Sequence, residues 1–250
     1  MTEGLRPVRT HEEALEASAG SAFVRYDVPA PLEGVGHALG RALALPRRTH
    51  TRRLGLLVLG PPADVHSLVA AIVARDLLDP AVRSVTVQRG SLDAVAGHLP
   101  LREGNEWEWL CTTSPPPPVA AESRLVRLTS DDQREIEDLL AAANPGTDAR
   151  PFQHPGQHWV GVRDDGGRLV ACGVCEPSLA GHPILSGITV DPTQRGLGLG
   201  LAVTAHLTRQ AVANAGVCTL GMYSHNAVAR RLYLGLGYGD VHEWSSRRFG

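Results

Sequence analysis

The hydrophobic and polar positions of the N-terminal half alternate between two kinds of spacing. Short apolar runs such as Leu54–Leu59 have the length and composition of buried strands. Longer stretches such as residues 63–78 carry apolar residues three or four apart, which favours amphipathic helices. The pattern predicts strands over residues 22–28, 54–59, 84–88 and 106–111, and helices over 32–43, 63–78 and 92–98. We therefore expect an α/β arrangement in this half.

The C-terminal half shows a second series of elements. Ser130 with Gln133 resembles a capping box at a helix start, and Asp164-Asp165-Gly166-Gly167 is typical of a hairpin turn. The segment before Gly216 has apolar residues at helical spacing, namely Leu201, Ala205, Val212 and Ala215. The pattern predicts strands over 124–128, 158–163, 168–176, 184–190, 217–223 and 241–249, and helices over 130–143, from the glycines near 200 to 215, and 226–237. This order predicts an α+β unit with helices packed on a mixed sheet.

Four consecutive prolines, Pro115 to Pro118, separate the two series. Such a run favours extended polyproline and cannot enter a helix or a sheet interior. We therefore predict an N-terminal α/β domain over 1–114, a proline-rich linker over 115–121 and a C-terminal domain over 122–250.

Composition excludes several function classes. The chain has 250 residues, 43% of them apolar, which is enough for a sizeable core. A net charge of −2 gives no sign of a nucleic-acid or acidic-membrane partner. Residues 1–17 lack the apolar core of a signal peptide, and no window approaches the ~18 apolar residues of a membrane span. We expect a cytoplasmic protein whose partner is a small-molecule substrate, and the chain could also form a homodimer.

The cysteines and histidines do not predict a metal site. Cys172 and Cys175 are three apart on a predicted strand, so they should point to opposite faces. His154 and His158 are separated by a proline and a glycine, which argues against a shared helix face. We expect reduced thiols and no metal.

The most informative segment is the glycine-rich turn at residues 194–200, between a predicted strand and a predicted helix. The first turn of a helix has unpaired N–H groups that can bind an anion, and glycines leave them accessible. A dinucleotide site requires G-x-G-x-x-G and a later acidic residue, but the glycines here are spaced G-x-G-x-G and strand 217–223 carries no acid. A P-loop requires Lys, and the chain has none.

The third interpretation is an acyl-CoA pyrophosphate turn. Residues 195–200 match R-x-x-G-x-G/A, a motif of the GNAT N-acyltransferase superfamily. A later motif of that family, N-x-x-A-x-x-L-Y followed by L-G-F/Y, resembles Asn226, Ala229, Leu232 and Tyr233 followed by Leu236-Gly237-Tyr238. The C-terminal half of the chain therefore resembles a GNAT domain.

This resemblance implies a fold, an activity and a set of site residues. The fold would be α+β, with a mixed, mostly antiparallel sheet flanked by helices. The activity would be direct transfer of an acetyl group from acetyl-CoA to a primary amine, most simply that of a small molecule. Tyr233 would protonate the departing thiolate, and a backbone N–H near Val190 would face the thioester carbonyl. The implied cofactor-binding residues are Ile188, Thr189 and Val190 for the pantetheine arm, Arg195, Gly196, Leu197, Gly198, Leu199 and Gly200 for the pyrophosphate, and Asn226, Ala229 and Tyr233 on the following helix.

Several alternatives stay open at this point. The general base could be Glu176, His182, His154 or His158, or an ordered water, or the amine could arrive neutral. The N-terminal half could be a degenerate GNAT-like domain that has lost its glycine turn, or an unrelated module that shapes the acceptor pocket. A non-catalytic acyl-CoA-binding or regulatory protein and a protein N-acetyltransferase are rival functions. The acceptor and the acyl chain length are undetermined.

Overall fold

The computed structural model describes residues 4–49 and 52–250, which form two compact units. The first unit contains Met1–Trp109, Met222–Ala227 and Val241–Gly250, apart from the residues not described. The second unit contains Leu110–Gly221 and Val228–Asp240. The division at the proline run that the sequence suggests is a different description of the chain and stays a prediction.

The first unit is a mixed sheet with four helices. Its strands are β1 (Arg6–Val8), β2 (Gly36–Leu39), β3 (Ala42–Arg48), β4 (Leu54–Leu59), β5 (Ser84–Gln88), most of β6 (Leu101–Thr112) and most of β12 (Gly239–Phe249), in the order β1-β2-β3-β4-β5-β12-β6. Its helices are α1 (His11–Ala17), α2 (Ala22–Asp27), α3 (Pro62–Ala74) and α4 (Leu92–Ala96). β4 and β5 are parallel, whereas β1–β2, β2–β3, β3–β4 and β5–β12 are antiparallel.

Two predictions in this unit are wrong. Residues 22–28 form helix α2 rather than a strand, because Ser21 caps the helix and Phe23, Val24 and Asp27 share its buried face. Residues 32–43 form a loop, β2 and the start of β3 rather than a helix. Gly36 lets these strands approach closely, since a Cβ there would lie 2.5 Å from the Leu45 side chain. Gly40 has φ +57° in the turn between β2 and β3, a conformation that glycine adopts readily.

The second unit has the same kind of sheet. Its strands are β7 (Leu125–Arg127), β8 (His158–Arg163), β9 (Leu169–Pro177), β10 (Pro183–Val190) and most of β11 (Cys218–Tyr223), in the order β11-β10-β9-β8-β7. Its helices are α5 (Gln133–Ala143), α6 (Leu199–Ala215) and nearly all of α7 (Ala227–Gly235). β10 and β11 are parallel, and the β7–β8, β8–β9 and β9–β10 pairs are antiparallel. The predicted fold class, a mostly antiparallel mixed sheet flanked by helices, is confirmed.

The hairpin turn and the helix end that the sequence predicts in the second unit are present, and the predicted helix start is shifted. Asp164 N–H donates to Arg168 O at 2.9 Å and closes the predicted β8–β9 hairpin. Helix α6 ends at Gly216, which has φ +73°. The capping box is displaced by one residue, since Thr129 N–H donates to the Asp132 carboxylate at 2.7 Å in the short 3-10 helix before α5.

Helix α6 forms where the apolar spacing predicts it, but its buried face is not purely apolar. Of the four residues with that spacing, Ala205 is buried, Leu201 and Val212 are half-buried and Ala215 is exposed. Thr204 and Thr208 occupy the buried face, and their hydroxyls donate to the carbonyls of Gly200 and Thr204 at 2.8 and 2.7 Å. Because these polar residues satisfy their own hydroxyls within the helix, they can replace apolar residues in the core.

The two halves of the chain repeat one order of elements. The first runs β1, α1 and α2, β2–β3–β4, α3, β5, α4, β6, and the second runs β7, α5, β8–β9–β10, α6, β11, α7, β12. In each, the parallel pair of strands is joined by the longest helix of that half. Among the helices of residues 4–49 and 52–250, none has the length and apolarity needed to cross a membrane.

Candidate functional site

Strand β10 contains a bulge where the predicted cofactor-binding strand begins. Its register against β9 shifts between Ser186 and Thr189, and Gly187 has φ +61°. The Thr189 hydroxyl donates to Gly187 O at 3.0 Å and accepts from Asn144 Nδ2 at 3.2 Å. A Cβ on Gly187 would lie 2.9 Å from the Ala149 Cβ. Packing and hydrogen bonds therefore fix the shape of the bulge.

Beyond its first residues, β10 has a backbone edge that β11 does not occupy. The described ladder joins Ile184 with Thr219 and Leu185 with Leu220, and it contains no later pair. On the other edge, Asp191 N–H donates to Val170 O of β9 at 2.8 Å. Since successive N–H groups of a strand point to opposite edges, Val190 N–H points toward the β11 side. An extended ligand could bond there as an added strand does.

The three predicted strand residues differ in their surroundings. Thr189 pairs with Cys172 of β9, and its side chain is buried against Asn144. The Ile188 side chain lies over Gly173, whose Cβ would meet the Ile188 Cδ1 at 2.5 Å. Val190 is half-buried. Val190 is therefore the residue of the three whose N–H direction best fits the predicted contact.

The glycine turn is open to solvent. Residues 195–198 are exposed, and Gly196 and Gly198 have φ +82° and +74° with no heavy atom within 4 Å of an added Cβ. Gly198 is the N-cap of α6, and among the described residues no side chain caps this end. The N–H groups of Leu199, Gly200 and Leu201 therefore form a first helical turn that an anion could reach.

The segment between β10 and this turn is anchored by Asp191. Its carboxylate accepts from Thr193 Oγ1 at 2.6 Å, from Thr193 N–H at 2.8 Å and from Arg168 Nη1 at 2.6 Å. These hydrogen bonds, those of Thr193 foremost, lower the pKa of Asp191 to about 2. The Asp191 carboxylate is thus ionised, and its hydrogen bonds go to Thr193 and Arg168 rather than to the start of α6. The N–H groups of the glycine turn are therefore left for another anion.

Helix α7 carries the third predicted group of residues. Tyr233 is buried, which raises its pKa to about 12, and its ring lies 5.9 Å from that of Tyr238. Ala229 is half-buried one turn earlier. Gly200 sits close to both neighbouring elements, since its Cβ would lie 3.4 Å from Val190 Cγ2 and 3.9 Å from Leu232 Cδ1. The glycine turn, β10 and the C-terminal part of α7 thus lie together within the second unit.

Asn226 precedes α7 and is grouped with the first unit. It is exposed, and its N–H donates to Tyr223 O at 3.0 Å. Its predicted place beside the end of the pantetheine arm stays a prediction.

The model of the acetyltransferase (GNAT) family matches residues 101–238, more than half of the chain. This match includes the bulged strand, the glycine turn and α7. The chain belongs to the GNAT acetyltransferase family. No curated protein matches it.

Solved structures extend this likeness to nearly the whole GNAT chain. A GCN5-related N-acetyltransferase from Sphaerobacter thermophilus is 18% identical, with a TM-score of 0.56 over 98% of this chain and 95% of its own. One from Kribbella flavida is 18% identical, with a TM-score of 0.54 over 94% of each chain. A GNAT acetyltransferase from Colwellia psychrerythraea is 14% identical, with a TM-score of 0.51 over 99% of this chain and 100% of its own. At these identities the likeness concerns the fold.

The predicted candidates for the general base of this GNAT protein are separated by the structure. Glu176 lies beside the bulge, where its carboxylate accepts from Ser186 Oγ at 2.9 Å and from Gln157 Nε2 at 2.6 Å. His158 has a buried Nε2 with no partner among the described residues, and burial lowers its pKa. His154 is exposed, and His182 is half-buried in the β9–β10 turn. The Glu176 side chain thus bonds to the bulged strand through Ser186.

Sequence reasoning missed two polar residues of this region. Asn144 directly follows α5, and its side chain reaches the bulge through Thr189. Gln157 precedes β8 and holds the Glu176 carboxylate. Neither belongs to a motif, and each acts through a contact between residues at least 19 positions apart, so spacing along the chain could not reveal them.

The first unit of this GNAT protein is built differently at the corresponding position. Helix α3 begins at Pro62 with Pro61 as its N-cap, and proline has no N–H. The Asp64 carboxylate in its first turn accepts from Arg41 N–H at 3.0 Å. Gln88 Oε1 accepts from Gly60 N–H at 2.9 Å and so joins the ends of β4 and β5. The start of α3 therefore has no side-chain cap either, but the prolines at its N-cap and first position remove two N–H groups, and Gln88 joins the strand pair.

The structure also bears on metals. Among residues 4–49 and 52–250, no group of three histidine, cysteine or acidic side chains is placed to hold a metal ion. The four cysteines are free.

Proposed function

We propose that this GNAT protein is an N-acetyltransferase that moves an acetyl group from acetyl-CoA to a primary amine of a small molecule. The observation that carries the proposal is the open, uncapped start of α6 next to an unoccupied edge of β10. The first can bind a pyrophosphate, and the second can bind an amide-containing arm. Acetyl-CoA contains both and supplies the acetyl group as a thioester.

The predicted groups of residues divide the work in this proposal, with the main chain of Ile188 and Thr189 leading into the strand edge at Val190. The backbone N–H groups from Arg195 to Leu201 hold the pyrophosphate, and Val190 N–H bonds the arm. Asn226, Ala229 and Tyr233 approach its reactive end. The Tyr233 hydroxyl stays protonated below a pH of about 12 and so can donate a proton to the thiolate.

The reaction itself demands little besides positioning and charge stabilisation. The catalytic role of the chain therefore depends on a bound acyl donor, an acceptor amine in its neutral form and a proton for the leaving group. The four free thiols agree with the reducing, cytoplasmic setting that we propose.

The test measures acetyl-CoA binding by calorimetry and CoA release with a thiol reagent over a panel of amines. Because the chain has no lysine, release cannot come from acetylation of its own lysine side chains. Replacing the 56% exposed Leu197 by Asp adds a negative charge to the turn and should weaken binding on the order of tenfold. Leu179→Asp, at a 40% exposed leucine outside the turn, is the matched control.

The outcomes separate the rival functions. Binding and amine-dependent CoA release support the proposal. Binding without release from any amine indicates a non-catalytic acyl-CoA-binding or regulatory protein, and release with amine-bearing peptides alone indicates a protein N-acetyltransferase. Absence of acetyl-CoA binding would contradict all three.

A further inference from the structure

The bulge of β10 places two residues between paired positions of the β9 ladder. Ser186 and Thr189 pair with β9 residues that are two apart, so Gly187 and Ile188 lie between these pairs. A buried strand carbonyl outside the regular pairing needs another donor. Gly187 O accepts from the Thr189 hydroxyl at 3.0 Å, and Thr189 is only 4% exposed. A side chain thus takes the place of the ladder where the strand bends.

The hydrogen bonds around this hydroxyl run in one direction. Thr189 Oγ1 has a single hydrogen, and because a carbonyl oxygen can only accept, that hydrogen goes to Gly187 O. The hydroxyl oxygen must therefore accept from its second partner, which is Asn144 Nδ2 at 3.2 Å. A neutral amide supplies this N–H, whereas an aspartate carboxylate of the same shape could not. The arrangement thus requires a donor at position 144.

The main chain of Asn144 is itself fixed. Its N–H donates to Leu140 O in the last turn of α5 at 2.8 Å, and its carbonyl accepts from Thr147 N–H at 3.0 Å. The side chain therefore starts from a defined point. Five residues further, Ala149 packs against the bulge, since a Cβ on Gly187 would lie 2.9 Å from the Ala149 Cβ. The segment after α5 thus holds the bulge at two points.

The orientation of the Gly187 carbonyl also determines where the next N–H points. The Gly187–Ile188 peptide is trans, so its C=O and N–H point in opposite directions. With Gly187 O bonded to the buried Thr189 hydroxyl, the Ile188 N–H points away from that hydroxyl. Two residues further lies Val190, whose N–H points toward the edge of β10 that β11 leaves open in the described ladder. Loss of the hydroxyl would therefore disturb the strand just before its open edge.

We propose that Asn144 is a positioning residue for acyl transfer. Through the Thr189 hydroxyl it holds the Gly187–Ile188 peptide in one orientation and so aligns the open edge of β10 with the acyl donor. Its role is exerted through Thr189 rather than by contact with a substrate. This inference rests on the proposed function, because the edge matters for catalysis only if acetyl-CoA binds along it.

The first experiment needs no turnover. Backbone amide signals of the full-length protein are followed by NMR while CoA is added. In the wild type, the signals of Ile188, Val190 and Gly200 should shift. In Asn144→Ala and in Thr189→Val, the shift of Gly200 should persist, whereas the shifts of Ile188 and Val190 should be lost. Wild-type shifts of Ile188 and Val190 in these variants would overturn the proposal. The proposed function itself would fail if Gly200 did not respond in the wild type.

The second experiment measures kcat with the amine that gives the fastest CoA release in the panel. Asn144→Ala and Thr189→Val should each lower kcat about tenfold, and Asn144→Asp should lose as much because it cannot donate. The Kd for acetyl-CoA should change less than about threefold, since the glycine turn would still bind the pyrophosphate. Thr189→Ser keeps the hydroxyl and should restore most of the rate.

A double variant tests whether the two residues act through one peptide. Asn144→Ala combined with Thr189→Val should lower kcat about tenfold, as each single change does, rather than about 100-fold. A loss of about 100-fold would mean that the residues act independently. That result, or a wild-type kcat in Asn144→Ala, would overturn the proposal.

Thr219 supplies the matched control. Its side chain is buried in β11, and its hydroxyl donates at 3.0 Å to Pro183 O, the carbonyl of the first residue of β10. Thr219→Val therefore removes the same kind of bond from the same strand but outside the bulge. In urea unfolding it should lose about as much stability as Thr189→Val, with kcat at the wild-type value. An equal loss of kcat in Thr219→Val would mean that general loosening of β10 explains the effect, and the proposal would fail.

Discussion

At the scale of single residues, Tyr233 is the proposed proton donor to the departing thiolate. Burial raises its pKa to about 12, so it stays protonated at any pH at which the protein would be assayed. Tyr233→Phe should therefore lower kcat for acetyl transfer about 100-fold and leave the Kd for acetyl-CoA unchanged. The ratio of wild-type to variant rates should stay constant as the pH rises toward 10. Steady-state kinetics and calorimetry measure these quantities.

Tyr238 provides the control for the loss of a buried hydroxyl. Its OH lies 2.7 Å from Thr208 Oγ1 and donates to Cys218 Sγ at 3.1 Å. Tyr238→Phe should lower the free energy of unfolding by about 1 kcal/mol through these lost contacts, with kcat little affected. Equal kcat in wild type and Tyr233→Phe would remove Tyr233 from the proton transfer.

Which residues could be predicted depends on how far apart along the chain they act. The glycines of the turn and Tyr233 belong to motifs within single segments. Asn144, Gln157 and Glu176 act through contacts between different elements. Glu176 is one of several general-base candidates in the sequence, and its contacts with Gln157 and Ser186 depend on how β8, β9 and β10 lie side by side.

At the scale of elements, the bulge of β10 combines two constraints on Gly187. Its φ is +61°, and an added Cβ would approach the Ala149 Cβ to 2.9 Å. Gly187→Ala should therefore lower the free energy of unfolding by roughly 1–2 kcal/mol for the left-handed conformation alone. It should also raise the KM for acetyl-CoA, because the strand edge next to the bulge would move. Urea unfolding and steady-state kinetics test both effects.

Gly181 supplies the matched control for Gly187. It has φ +81° in the β9–β10 turn, with no heavy atom within 4 Å of an added Cβ. Gly181→Ala should lower the free energy of unfolding through the left-handed conformation alone and leave the KM for acetyl-CoA unchanged. If both variants had the wild-type KM, the bulge would not position the acyl donor.

The success of element prediction followed the strength of the local pattern. The predicted bounds of β4, β5 and β8 equal the observed ones, since each is a short apolar or alternating run between turn residues. The pattern predicts the wrong element for two segments, a strand over residues 22–28 and a helix over residues 32–43. Over so short a segment, the apolar residues of α2 fit the period of a helix as well as that of a strand. In the folded unit, Phe23 of α2 packs against Trp109 and Trp244. In 32–43, three glycines outweigh the helical spacing.

At the scale of the whole molecule, the chain contains the same order of elements twice, but the two corresponding helix starts differ in their residues. Neither helix has a side-chain cap, but α6 has Gly198 at its N-cap, whereas α3 has prolines at its N-cap and first position and carries Asp64 in its first turn. A carboxylate there disfavours a phosphate, because the charges repel. Gln88 further joins the ends of β4 and β5. This asymmetry agrees with the hypothesis that the N-terminal half is a GNAT-like domain without its cofactor.

We therefore predict that each chain binds one acetyl-CoA. Calorimetric titration should give a stoichiometry of one, because the start of α3 lacks two N–H groups and carries Asp64, and Gln88 joins the ends of β4 and β5. Asp64→Asn and Gln88→Ala should leave the Kd unchanged. Gly198→Val should abolish binding, since a β-branched residue strains the left-handed N-cap and crowds the N–H groups of the turn. Circular dichroism of Gly198→Val would show that the chain is still folded. A stoichiometry of two, or residual binding in Gly198→Val that Asp64→Asn strengthens, would place a working site in the first unit.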